Sequence, residues 1–309
     1  MTSNRYQDLV NKTKPASRTD RSGNAVLRGG AAGVFMTPAT ALIIIFLVVP
    51  AFWTIYLGIT NYSLTGFAAV NQEIVGLDNF KRAFNDPAFF NSLKVTFIFT
   101  LGSAIIGQAI LGFLLAWVLF GLSKRIRSTV EVIVIAAWMV PSSVVSFLWI
   151  AFLNGENGTL NAILGSETRW LIDYPLQSII VFNTWRGTAF SMLLFAAAVA
   201  SIPKSHLEVA RVAGASRGQQ LRTIVLPAIR PYILTDILLI TLWTFNDFGP
   251  YLITAGGPGQ KTELMAIFVY NNALRFLDFG YASAIAAIML GINLILSLIV
   301  ISSGRKRSQ

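Results

Sequence analysis

The sequence predicts an all-helical membrane protein with six transmembrane helices, and three observations carry that prediction. Only 12% of the 309 residues are charged while 54% are hydrophobic, against about 25% charged in a typical soluble domain. Charge-free apolar stretches recur along the chain, several of them longer than the roughly 20 residues a helix needs to cross a bilayer. Lys and Arg gather in alternate connecting segments instead of on one amphipathic element. The net charge of +10 therefore reads as membrane topology, with the lipid bilayer as partner and no nucleic acid.

Composition also excludes chemistry. The absence of cysteine rules out disulfides, thiolate metal sites and Cys nucleophiles, and a lone histidine, His206, rules out a multi-His metal centre. No catalytic residue, metal or cofactor is expected.

Residues 1–33 form a polar, basic tail without hydrophobic period, and no cleavable signal peptide is evident in front of the first apolar run. A single domain is expected over 34–302, with spans at about 34–57, 94–120, 131–153, 178–200, 229–253 and 281–302, and a short tail at 303–309. Span one lies in a stretch without charge from Gly29 to Gln72, and the mixed segment after it carries the turn-like runs GLDNF and NDPAFF. Charges vanish again from Val95 to Ser123 and from Val132 to Gly155, which gives spans two and three. NGENG then opens a polar loop that lasts to Gln177. Span four is interrupted only by Arg186, while span five carries Asp236 and Asp247. Thr254 to Gly280 reads as a loop containing AGGPGQKT, followed by a short amphipathic stretch. Gly102, Ser103, Gly107 and Gly112 permit close packing of span two. Trp53, Trp117, Trp138 and Trp149 sit near span ends, as an aromatic belt does.

Between spans four and five lies the one long polar segment with order of its own, residues 201–228. Pro203 and Pro227 bracket it and Gly214 divides it. Ser205 with Glu208, and Ser216 with Gln219, each have the spacing at which a hydroxyl and a Glu or Gln side chain cap a helix N-terminus reciprocally. Two short helices meeting at Gly214 follow, because glycine enters the left-handed C-cap conformation without a Cβ penalty. With the N-terminus inside, the tails, the 121–130 loop and this segment, with Arg230 just past it, together hold 17 of the 24 Lys and Arg residues. That excess places both termini and the polar segment in the cytoplasm.

Glu208-Val209-Ala210, then Gly214-Ala215, then Leu226-Pro227 resemble the EAA loop in permease subunits of ATP-binding-cassette importers. Val209 replaces the first alanine of that pattern, and Ala213 stands where aspartate is common. VGLDNFKRAFNDPAFFNSLKVT, WLIDYPLQSIIVFNTWRGTAFSMLLF and ITAGGPGQKTELMAIFVYNNAL are similar to the carbohydrate-type permeases, so the likeness covers most of 37–302. Gly256-Gly257-Pro258 is more like the maltose or glycerol-phosphate "F/A" type of subunit. The resemblance implies a multi-pass protein of a prokaryotic cell membrane that pairs with a second, homologous permease as a heterodimer. It implies two cytoplasmic ATP-binding subunits and an extracytoplasmic solute-binding protein as further partners. Leu207, Glu208, Ala210, Arg211, Gly214 and Ala215 would then dock into a cleft of the ATPase, whose closure drives translocation of a sugar or related small polar solute by alternating access. ATP hydrolysis would lie in the partner subunits. A phosphate-binding loop needs Gly directly before Lys-Ser/Thr, whereas Gln260 precedes Lys261-Thr262 and Pro258 interrupts the run.

Ionisable residues within spans are costly and default to functional candidates. Arg186 and Asp247 fall at similar depth and are expected to pair, with Asn183, Trp185, Trp243, Asn246 and Tyr251 lining a polar and aromatic cavity near them. Aromatic faces stack on sugar rings, and amides and carboxylates bond hydroxyls. The competing reading is a purely structural ion pair, or two side chains snorkelling to the interface. Asp236, near the cytoplasmic end, is expected to snorkel. A reading from another class, an ion-coupled secondary transporter, would use Arg186, Asp236 and Asp247 as coupling charges. The inverted repeats that favour such a carrier are not visible.

Overall fold

The computed structural model describes residues 29–305, and most of both expected tails lies outside the described residues. Apart from an isolated bridge between Thr60 and Ile74, the described residues form helices and their connections. Five helices are long and apolar enough to cross a membrane: Phe35–Gly58, Pro87–Phe120, Pro175–Ala200, Arg217–Phe245 and Phe279–Gly304. A bent pair, Lys124–Trp138 with Ser142–Phe152, brings the number to as many as six. With that pair counted third, these are spans one to six below.

Contacts divide the chain within span one. The unit ending at Phe52 is helical from Gly29, with a wide turn at Ile44–Val48, and side chains such as Phe46 and Leu47 remain exposed, as suits a hydrocarbon surrounding. The unit from Trp53 onward contains every other span.

Spans two, four and five form the centre of this second unit. Gly102 abuts Ile180, Gly107 abuts Thr184 and Gly112 abuts Ser191, so span four lies against the backbone of span two along most of its length. Small residues permit this approach, and in lipid, close van der Waals packing is what holds helices together. Span two widens over Thr100–Ala109 into i→i+5 geometry, and this stretch carries the buried Ser103 and Gln108. Towards the polar segment, Ala116, Leu119, Phe195, Val225 and Ile229 form a dry core in which spans two, four and five meet.

Several sequence expectations change. Span three is not one straight helix over 131–153. Its two halves meet at 95°, because Pro141 lacks the N–H that would continue the first half and drives Val140 out of helical geometry. Span five runs from Arg217 to Phe245 instead of covering 229–253, so the second short helix of the polar segment is the start of this span. Pro227 withholds one donor there, and the helix passes it after a wide turn over Leu221–Val225. At the other end Pro250 disfavours helix at Gly249, and the Gly249 N–H donates to Asp247 Oδ1 at 2.8 Å in an Asx turn. The stretch expected to be amphipathic after span five is a buried helix instead. Met265–Tyr270 packs against the starts of spans two and six, with Leu264, Met265 and Ile267 fully buried.

Candidate functional site

A cleft of about 160 Å³ opens where spans two, four and five meet the end of the first half of span three. Its charged wall is Arg186, whose Nη1 lies 3.4 Å from Asp247 Oδ2; the two side chains are 33% and 14% exposed. Arg186 sits mid-helix in span four, whereas Asp247 is carried by the turn that ends span five, so the pair bridges a helix and a cap. A Cβ at position 249 would stand 2.8 Å from Arg186 Nη1. Glycine there lets the guanidinium reach the carboxylate.

The polar floor is built by amides. Asn183 Nδ2 donates to Ser103 Oγ at 2.8 Å and to Thr244 Oγ1 at 3.3 Å, and Gln108 Nε2 donates to the Asn183 carbonyl at 3.1 Å. One amide thus ties three spans together. Trp138, Phe190 and Trp243 supply the aromatic wall, with the rings of Phe190 and Trp243 in edge contact at 4.7 Å. The arrangement offers flat apolar faces beside a cation, a carboxylate and amides. It suits a ligand with apolar ring faces and hydroxylated edges.

Of the seven residues singled out in sequence for this cavity, Asn183, Arg186, Trp243 and Asp247 come together in the cleft. The other three do not. Trp185 lies on the neighbouring face of span four and packs on Trp149 at 5.9 Å. Asn246 exchanges two amide hydrogen bonds with Asn293 of span six, at 3.2 and 3.0 Å. Tyr251 joins a separate aromatic group with Phe248 and Tyr270. Conversely, Gln108, Phe190 and Trp138 were missed. Gln108 had a signal, since an amide within an apolar span needs a partner. Trp138, taken as a belt residue at a span end, comes to the cleft only because span three bends after it. Asp236 does not snorkel: it is 0% exposed.

The second candidate region is the polar segment. Its first helix is Lys204–Val212, and Gly214 ends it at φ +82°. The Ala215 N–H donates to the Ala210 carbonyl at 2.9 Å and the Gly214 N–H to the Arg211 carbonyl at 3.0 Å, a Schellman pair that satisfies the helix's last carbonyls. The next helix has the expected reciprocal cap. Ser216 Oγ accepts from the Gln219 N–H at 3.3 Å, and Gln219 Oε1 accepts from the Ser216 N–H at 2.7 Å. The box expected at Ser205 and Glu208 does not form. Pro203 occupies the cap position, so Ser205 already lies inside the first turn. Leu207 is 6% exposed and plugs into the core of spans two, four and five. Glu208, Val209, Arg211 and Val212 form an exposed, mixed apolar and charged face, with Ala210 and Ala215 half-buried behind it.

These features agree with known proteins. Residues 108–308 match the family described as "Binding-protein-dependent transport system inner membrane component". The chain is 30% identical over 230 residues to the inner membrane ABC transporter permease protein YcjO of Escherichia coli (strain K12), covering 71% of this chain and 76% of that one. It is 28% identical over 272 residues to the sulfoquinovosyl glycerol transport system permease protein SmoG of Agrobacterium fabrum (strain C58 / ATCC 33970), covering 84% and 86%. Its fold matches a chain in the crystal structure of a bacterial alginate ABC transporter in complex with alginate pentasaccharide-bound periplasmic protein. The TM-score is 0.76 at 21% identity, with 91% of this chain and 96% of that one covered. The shared family over most of the spans, the matching helical fold and the several membrane-crossing helices have one meaning: this chain belongs to the inner membrane components of binding-protein-dependent transport systems, as a multi-pass permease of a bacterial plasma membrane.

Proposed function

We propose that this chain is the permease subunit of an ATP-driven importer for a carbohydrate or a closely related polyhydroxylated solute. The observation that carries the solute class is the cleft, where the Arg186–Asp247 pair and the Asn183 and Gln108 amides face the rings of Trp138, Phe190 and Trp243. Aromatic faces take up the apolar faces of a sugar ring, while amide and carboxylate groups bond its hydroxyls. The relative named for sulfoquinovosyl glycerol transport and the fold neighbour solved with an alginate pentasaccharide support the same class.

The energy enters at the other end. With the polar segment in the cytoplasm, as the Lys and Arg distribution favours, the exposed face of Lys204–Val212 docks in a groove of one of two ATP-binding subunits. Leu207 passes their movement to the core of spans two, four and five. A second permease subunit completes the membrane portion as a heterodimer, and an extracytoplasmic binding protein delivers solute to the cleft side. Alternation of the spans between inward and outward opening then moves the solute. Membership of a binding-protein-dependent family argues against an ion-coupled carrier.

The test uses the importer complex co-purified through this chain. ATP hydrolysis is measured with its binding protein and a panel of mono- to pentasaccharides. One of the panel is expected to stimulate hydrolysis, and Arg186→Ala and Asp247→Asn to reduce that stimulation about tenfold, the loss of one good polar contact. Stimulation left intact in both variants sinks the cleft as the solute site. Glu208→Ala and Gly214→Pro are expected to abolish coupling, and normal transport with normal assembly in both would refute docking through this segment.

A further inference from the structure

The helix faces that line the cleft continue past it towards the polar segment, and there they carry a second polar group. On span five, Thr244, Ile240 and Asp236 succeed one another at intervals of one turn; on span four, Asn183, Gly187 and Ser191 do the same. Thr244, Ile240, Asn183 and Gly187 line the cleft, so Asp236 and Ser191 are the next step on the same two stripes. At about 1.5 Å of rise per residue, Asp236 lies about 12 Å beyond Thr244. Below it, Phe195, Val225 and Ile229 begin the dry core that seats Leu207.

This group is closed and poorly satisfied. Asp236 is 0% exposed, and neither of its carboxylate oxygens accepts a well-formed hydrogen bond. The Ser191 hydroxyl is the one donor close enough to act on the carboxylate, and it too makes no well-formed hydrogen bond. A carboxylate buried with a single poorly placed donor in a membrane protein is costly. The cost is relieved in any conformation that admits water or another donor to the group.

We propose that Asp236 and Ser191 form a second polar step of the solute path, shut in this conformation and opened to water and solute hydroxyls when spans four and five part. The step rests on the reading of the chain as a permease for a polyhydroxylated solute. A carboxylate accepts bonds from sugar hydroxyls, and serine both accepts and donates. A solute leaving the cleft along these stripes therefore meets the same kind of groups again, without the cation. The burial penalty in the shut form also biases the spans towards opening.

The chain's lack of cysteine provides the test, because Ser191→Cys places a single, nearly isosteric thiol on it. In the complete importer complex in proteoliposomes, reaction of this chain with a small water-soluble methanethiosulfonate is followed without nucleotide, with ATP, and after vanadate trapping. The rate is expected to differ about tenfold or more between the slowest and fastest state, as a shift in the population of an open form requires. A thiol unreactive in every state, or equally reactive in all, overturns the proposal. Asp236→Leu, which replaces a poorly satisfied carboxylate by an apolar group, is expected to raise the Tm of the complex and slow its ATP turnover; unchanged turnover also overturns the step. The thiol assay needs no solute, so its failure is distinct from failure of the carbohydrate reading, which shows only in the saccharide panel.

Discussion

The polar segment and the cleft hold their side chains in place by different means. In Lys204–Gln220 the shaping bonds are local: Ala215 to Ala210, Gly214 to Arg211, and Ser216 with Gln219. In the cleft they are remote: Gln108 meets Asn183 across 75 residues of chain, and Arg186 meets Asp247 across 61. The contrast fits their proposed duties. A part that must transmit a push works best as a preformed rigid unit seated by one apolar plug. A site that must open and close works best when its walls belong to helices that move separately.

The largest effect is expected at the plug. Leu207→Ala removes the buried side chain by which the first helix of the segment joins the spans, and a buried leucine lost to a cavity costs about 2–5 kcal/mol. The Tm of the complex should fall and ATP hydrolysis should lose its dependence on solute. Unchanged coupling would mean that the local unit passes its motion through the backbone alone. The cleft is expected to respond less, because its ion pair is part-exposed and the single contact is long. A double-mutant cycle of Arg186→Met and Asp247→Leu, read in complex stability, should give a coupling of about 1 kcal/mol. A coupling near zero would make the pair's value purely a matter of solute binding. The smallest expected effect on transport is that of Ser216→Ala, which removes one half of a reciprocal cap at about 1 kcal/mol of stability. It should lower the Tm slightly and leave solute-stimulated hydrolysis intact, since the proposed docking face lies on the preceding helix.

Legibility followed the same division. Gly214 and the Ser216–Gln219 cap were readable from spacing alone, because each is settled within a turn of helix. The Ser205–Glu208 box had the same spacing and failed, since Pro203 took the cap position first. For the cleft, burial cost pointed to Arg186 and Asp247, but nothing in the spacing separated Asn183, which faces Ser103 and Thr244, from Trp185 two residues on, which faces Trp149. Helical phase relative to a neighbouring span decides that, and phase is not written locally.

By itself, the sequence determined the helical membrane class and the polar segment with its central turn. Hydropathy, charge and Gly or Pro geometry act over a few residues and do not need the rest of the chain. Only the tertiary structure decided that Trp138 and Gln108 belong to the cleft, and that Asp236 is sealed inside instead of reaching the interface. Each of those outcomes depends on which face of one helix meets which face of another. In a membrane that choice falls to small-residue packing such as Gly107 on Thr184 and Gly112 on Ser191, which hydrophobicity cannot report because the lipid is equally apolar.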